Sequence, residues 1–121
     1  MTRNCCGNGL DVAGNLRKIR ERIREACAAC GRDESEVTLM AVTKTVPPER
    51  VNEALDAGVR LLGENRVQEC CEKYQSYHCT AEQIHLIGHL QTNKIRSIID
   101  KVSMIESVDS LHLAKELDEA L

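Results

Sequence analysis

The stretch VTLMAVTKTVPP, residues 37 to 48, drives six largely apolar residues almost directly into Lys44 and then into two prolines. Lysine is among the residue types least often buried. Along a strand, residues two apart share a face, so Lys44 shares one with Val42, Met40 and Thr38. An amine rising from an apolar floor is favoured in its neutral form by desolvation. A neutral amine attacks carbonyls, which is Schiff-base chemistry with either a carbonyl substrate or pyridoxal phosphate. The competing reading is a lysine that ends a strand and extends its stem to water.

Three further strand ends carry polar groups: Gly63-Glu64-Asn65, Gly88-His89-Leu90-Gln91 and Glu106-Ser107-Val108-Asp109. In parallel α/β folds, ligands bind beyond the C-terminal ends of the strands. With Lys44, His89, which lies past its strand end, is the better candidate site residue among these groups. Gly63 and Gly88 suit a sharp turn or a close backbone approach, or ordinary strand-to-helix turns. His85 alternates with Leu86 and reads as a structural or helix-facing histidine, while His78 and His112 read as surface residues.

The elements that must hold these residues follow from periodicity. Leu16, Ile19, Ile23, Cys27 and Cys30 recur at helical steps, with Arg17, Lys18, Arg20, Glu21, Arg24 and Glu25 opposite, and Gly31 is a C-terminal stop. Strands are expected at VTLMAV (37 to 42), VRLLG (59 to 63), IHLIG (84 to 88) and KVSMIESV (101 to 108). Helices are expected at 48 to 57, 65 to 77, 91 to 99 and 110 to 121. Continuous apolar strands suit a parallel sheet, and βαβαβαβα alternation gives one with right-handed crossovers. The spacing is that of a TIM-type (β/α) barrel, with about four of eight units present, since a whole barrel takes about 250 residues. An open four-stranded α/β sheet fits the length equally well. Residues 1 to 9 read as a disordered leader and 10 to 121 as the folded unit.

Composition removes several function classes. The net charge is −3, and two tyrosines are the only aromatics, which argues against nucleic-acid partners and stacking platforms. No apolar run reaches the roughly 20 residues of a membrane span, and the first residues lack a signal-peptide core, so a cytoplasmic location is expected. Of seven cysteines, Cys27 and Cys30 have redox-motif spacing but lie late in a helix, where both are expected in the core. No paired zinc pattern is present.

The segments AVTKTVP, GENRVQE, IHLIGHLQTNK and ESVDSLHLA, in this order, resemble the successive motifs of the pyridoxal-phosphate homeostasis proteins. These are single-domain relatives of the alanine racemase N-terminal barrel. The resemblance runs over residues 10 to 121 and corresponds to the N-terminal half of the family's barrel. It implies pyridoxal 5′-phosphate (PLP) held as a Schiff base on Lys44, with Asn65 and His89 near the cofactor. It implies a role in intracellular PLP homeostasis, holding, buffering or delivering the cofactor to PLP-dependent apoenzymes, without established turnover. A PLP-dependent racemase-like enzyme and a cofactor-independent Schiff-base enzyme of the aldolase type are the alternatives. The family usually carries aromatics where this chain has Leu62, Arg66, Ile84 and Leu86, which implies a looser pocket. Its phosphate-binding residues lie in the half not matched here, and a half-barrel with open edges is expected to self-associate.

Overall fold

A computed structural model of the chain describes residues 11 to 121; the expected leader at 1 to 9 lies outside them. Four parallel strands, β1 (Met40–Val42), β2 (Leu61–Glu64), β3 (Ile84–Leu86) and β4 (Met104–Ile105), form one sheet in the order β1-β2-β3-β4. Five α-helices, α1 (Val12–Cys30), α2 (Pro48–Asp56), α3 (Val67–Lys73), α4 (Ile95–Ile98) and α5 (Leu111–Ala120), precede, separate and follow the strands. Single 3₁₀ turns extend α3 and introduce α4. The strands are shorter than their apolar runs because pairing stops where the chain turns towards the next helix.

The register pairs Met40 with Leu61, Leu62 with Ile84 and His85 with Met104. One sheet face therefore presents Leu62, Ile84 and Leu86, all fully buried. Onto them pack Leu16 of α1, Val51 of α2, Val67 and Cys70 of α3, Ile95 and Ile98 of α4, and Leu113 of α5. The other face presents Met40, Val42, Leu61, Gly63, His85 and Met104. It is open: Val42 is 50% and Met104 52% exposed. Sequential strand order with every helix on one face is the arrangement of a (β/α) barrel wall. An open doubly wound sheet would carry helices on both faces. The sheet is thus four of a barrel's eight strands.

Local rules explain the helix boundaries. Asp11 caps α1 by accepting from the Gly14 N–H at 2.9 Å. Gly31 ends it at φ 73°. Pro48 opens α2, where its missing N–H costs nothing. Two expectations for α1 fail. Ile19 is exposed, whereas Arg20 is turned inwards and donates to the Ala57 carbonyl at 3.0 Å. A guanidinium there satisfies a carbonyl at the C-terminus of α2. Cys27 is buried as expected, but Cys30 is exposed, because α1 runs past the edge of the core before Gly31. No helix among the described residues is long and apolar enough to cross a membrane.

Candidate functional site

The C-terminal ends of the four strands form one rim. Thr43 continues the ladder past β1, its N–H donating to the Gly63 carbonyl at 3.2 Å. On the far side of β2, Ile87 donates to the Glu64 carbonyl at 2.9 Å, and Glu106 donates to the Leu86 carbonyl at 2.9 Å. Lys44, Asn65, His89 and Glu106 thus leave neighbouring strands at the same end of the sheet.

Lys44 does not sit in an apolar well. It occupies a turn beyond β1 and is exposed, as are Val42 and Thr38 on its face. Met40 is half-buried. The expected floor is present as a row of residues, but nothing in these four units covers it. Among the described residues, the Lys44 ammonium forms no ion pair.

The turn that carries Lys44 is unusual. The Val46 N–H closes it onto the Thr43 carbonyl at 3.1 Å, which makes Thr45 its third residue. Thr45 has φ 61°, the left-handed region that a type II turn demands at that place and that glycine normally supplies. Two side chains of α3 hold the strained segment. Glu69 accepts from the Thr45 N–H at 2.7 Å, and Lys73 donates to the Val46 carbonyl at 2.7 Å. Glu69 and Lys73 also pair with each other, and their side chains are only 16% and 17% exposed. The Lys73 ammonium, aided by the Thr45 N–H, holds the Glu69 carboxyl below its usual range against the opposing effect of burial.

Glu64 departs from the rim expected of it. It is 1% exposed and faces the helices, where Thr43 donates to Oε2 through its hydroxyl and the Tyr77 hydroxyl donates to the same atom at 2.8 Å. Among the described residues, its buried Oε1 has no hydrogen-bond partner. Burial first, then the Glu64 carboxylate, pushes the Tyr77 hydroxyl well up and the Cys70 thiol to about 12. Thr43 and Glu64 directly precede Lys44 and Asn65, so this buried link ties the two strand ends together beneath the rim. Asn65 is half-buried. Its carbonyl lies where a side chain on Gly88 would begin: a Cβ there would fall 1.9 Å from the Asn65 oxygen.

His89 is exposed, and its Nδ1 lies 3.5 Å from Asp109 Oδ2. His85 is the histidine on the open sheet face, its Nδ1 2.7 Å from Glu106 Oε2. The helix-facing expectation for His85 fails for a simple reason: Ile84 and Leu86 take the helix side, so the residue between them must take the other. The same alternation shows that Leu62, Ile84 and Leu86 pack under the helices. The lack of aromatics there alters the core, not the rim. A surface cavity of about 640 Å³ lies at the opposite end of the sheet, between Arg20, Arg24, Leu39 and Arg60.

No family model matches the chain. It is 39% identical over 110 residues to the pyridoxal phosphate homeostasis protein of Aquifex aeolicus, an alignment covering 91% of this chain and 48% of that protein. A crystal structure of an unknown protein from Bifidobacterium adolescentis superposes with a TM-score of 0.83 at 34% identity, covering 89% of this chain and 48% of the other. PipY of Synechococcus elongatus, solved with PLP bound, superposes with a TM-score of 0.66 at 33% identity, covering 91% of this chain and 48% of PipY. The chain spans about half the length of the curated relatives it matches. Across that half its similarity is to the pyridoxal phosphate homeostasis proteins.

Proposed function

We propose that this chain belongs to the pyridoxal phosphate homeostasis protein family, takes part in intracellular PLP homeostasis and holds the cofactor as a Schiff base on Lys44. The observation that carries the reading is the place of Lys44: an exposed amine in the first turn beyond β1, on the rim of a half-barrel whose relative PipY was solved with PLP bound. PLP supplies an aldehyde carbon that accepts a primary amine. The chain supplies that amine, with Asn65 on the next strand end and His89 one strand further on as the other pocket residues. Met40, Val42 and Gly63 form an apolar surface below them.

The fit covers one end of the cofactor. In barrels of this type, phosphate is frequently bound by loops after strands 7 and 8, and the described residues contribute four strands.

The test is chemical. The chain is mixed with PLP, reduced with borohydride and mapped by peptide mass. The pyridoxyl group should lie on Lys44, be lost in Lys44→Ala, and persist in Lys94→Ala and Lys101→Ala. A reduced adduct on another lysine at undiminished yield in Lys44→Ala refutes the assignment. Unphosphorylated pyridoxal should bind about as weakly as PLP. A clear preference for PLP would mean that these residues do form a phosphate site.

A further inference from the structure

We propose that Glu69 and Lys73 act together as a clamp on the turn that carries Lys44, and are positioning residues for that lysine. The inference rests on the reading of Lys44 as the PLP-bearing residue.

A β-branched residue with positive φ is a genuine outlier, and such conformations persist only where their surroundings over-determine them. The surroundings of Thr45 are identifiable. Its N–H is held by the Glu69 carboxylate at 2.7 Å, and its hydroxyl donates to the Lys44 carbonyl at 2.6 Å. The next carbonyl, that of Val46, is held by the Lys73 ammonium at 2.7 Å. Glu69 and Lys73 lie one helical turn apart on α3 and pair with each other, so each fixes the partner that fixes the turn.

The alternative for such a segment is a type I turn, with negative φ at its third residue and the central peptide rotated by roughly 150°. That rotation would carry the Thr45 N–H away from Glu69. The clamp thus selects one of two turns and leaves Lys44 at one fixed point on the rim. Hydrogen bonds to charged groups are the stronger class, which suits a contact that must hold an unfavourable backbone. On the other side of the turn Pro47 stiffens the exit, but Pro47 contacts neither Thr45 nor Lys44 through a hydrogen bond among the described residues.

The experiment has two independent readouts. The first uses no cofactor: amide hydrogen exchange at Thr45 in the wild-type chain, Glu69→Gln, Glu69→Ala and Lys73→Met. Loss of one charge-assisted hydrogen bond should speed exchange at Thr45 by roughly tenfold to a hundredfold in Glu69→Ala. Glu69→Gln keeps an acceptor oxygen and loses only the ion pair, so its effect should be smaller, and it serves if the alanine variant does not fold. The second readout is the borohydride-fixed yield on Lys44 at limiting PLP, with Lys94 and Lys101 as internal references. It should fall in Glu69→Ala and return in Thr45→Gly/Glu69→Ala, because glycine holds positive φ without help. Unchanged Thr45 exchange in a folded Glu69 variant overturns the clamp. Faster exchange with an undiminished Lys44 yield, or no recovery with Thr45→Gly, overturns the positioning role. A wild-type chain that is never labelled on Lys44 refutes the proposed function instead, and the exchange data still decide the clamp.

Discussion

Gly88→Ala should be one of the most damaging single-carbon additions in this chain. The added Cβ would lie 1.9 Å from the Asn65 oxygen, 2.7 Å from its carbonyl carbon and 2.9 Å from its Cα. All three atoms are backbone, so no rotamer change relieves the contact. Either the β2 exit or the β3 exit must move by at least about 1 Å. Overpacking of this kind costs about 1–3 kcal/mol. The movement also strains the Ile87 N–H to Glu64 carbonyl bond of 2.9 Å, worth about another 1 kcal/mol. A total near 3 kcal/mol corresponds to a fall in Tm of roughly 10 °C for a domain of this size. Gly31→Ala is the control: no atom of the described residues lies within 4 Å of its would-be Cβ, and only the φ of +73° is unfavourable. That should cost about 1 kcal/mol. Thermal and urea unfolding of both variants, side by side, measure the difference. If Gly88→Ala loses less than about 1 kcal/mol, or no more than Gly31→Ala, the close approach of Asn65 to Gly88 is not as described.

Further outcomes follow from the buried and paired groups. Tyr77→Phe removes a donor from the buried Glu64 carboxylate and should cost roughly 1.5–3 kcal/mol in urea unfolding; an unchanged midpoint would mean that the hydroxyl does not hold Glu64. Cys70, its thiol pushed up to about 12, should resist iodoacetamide at about pH 8 while exposed Cys30 reacts, as read by peptide mass; equal rates would contradict the burial of Cys70. Glu69 is held below its ordinary 4.5, so its contribution to stability is present above that value and lost as pH falls through its folded pKa. Glu69→Gln should flatten the acid limb of the stability profile, and an unaltered limb would refute that linkage.

The alternation of strands and helices was legible because long amphipathic periods and glycine or proline stops are local signals. Lys44 at a strand end was legible for the same reason. What escaped depends on knowing which sheet face meets the helices. Glu64, grouped with the rim by its place after an apolar run, points under the helices. His85, set aside as structural, takes the open face beside Glu106. Once the helix layer is assigned to one side, the period of two fixes both, so the signal was present but its sign was not. The Glu69–Lys73 clamp had no local signal. Its contacts span 24 and 27 residues and exist only because α3 folds back along the turn after β1.

The strand order bears on how the sheet assembles. Each strand pairs only with the next in sequence, and every pairing spans about 20 residues, from Met40 to Leu61, Leu62 to Ile84 and His85 to Met104. The entropic cost of closing each loop is therefore nearly the same at every step, and no step waits on a distant partner. Growth can begin at any one crossover and propagate in both directions, as in a repeat array. β2 and β3, paired on both sides, are the natural seed; β4 is two residues long and pairs with β3 among the described residues. Native-state exchange should rank the amides of β2 and β3 above those of β1 and β4, which leaves the Lys44 turn on the looser border of the sheet, held there by α3 more than by its own strand.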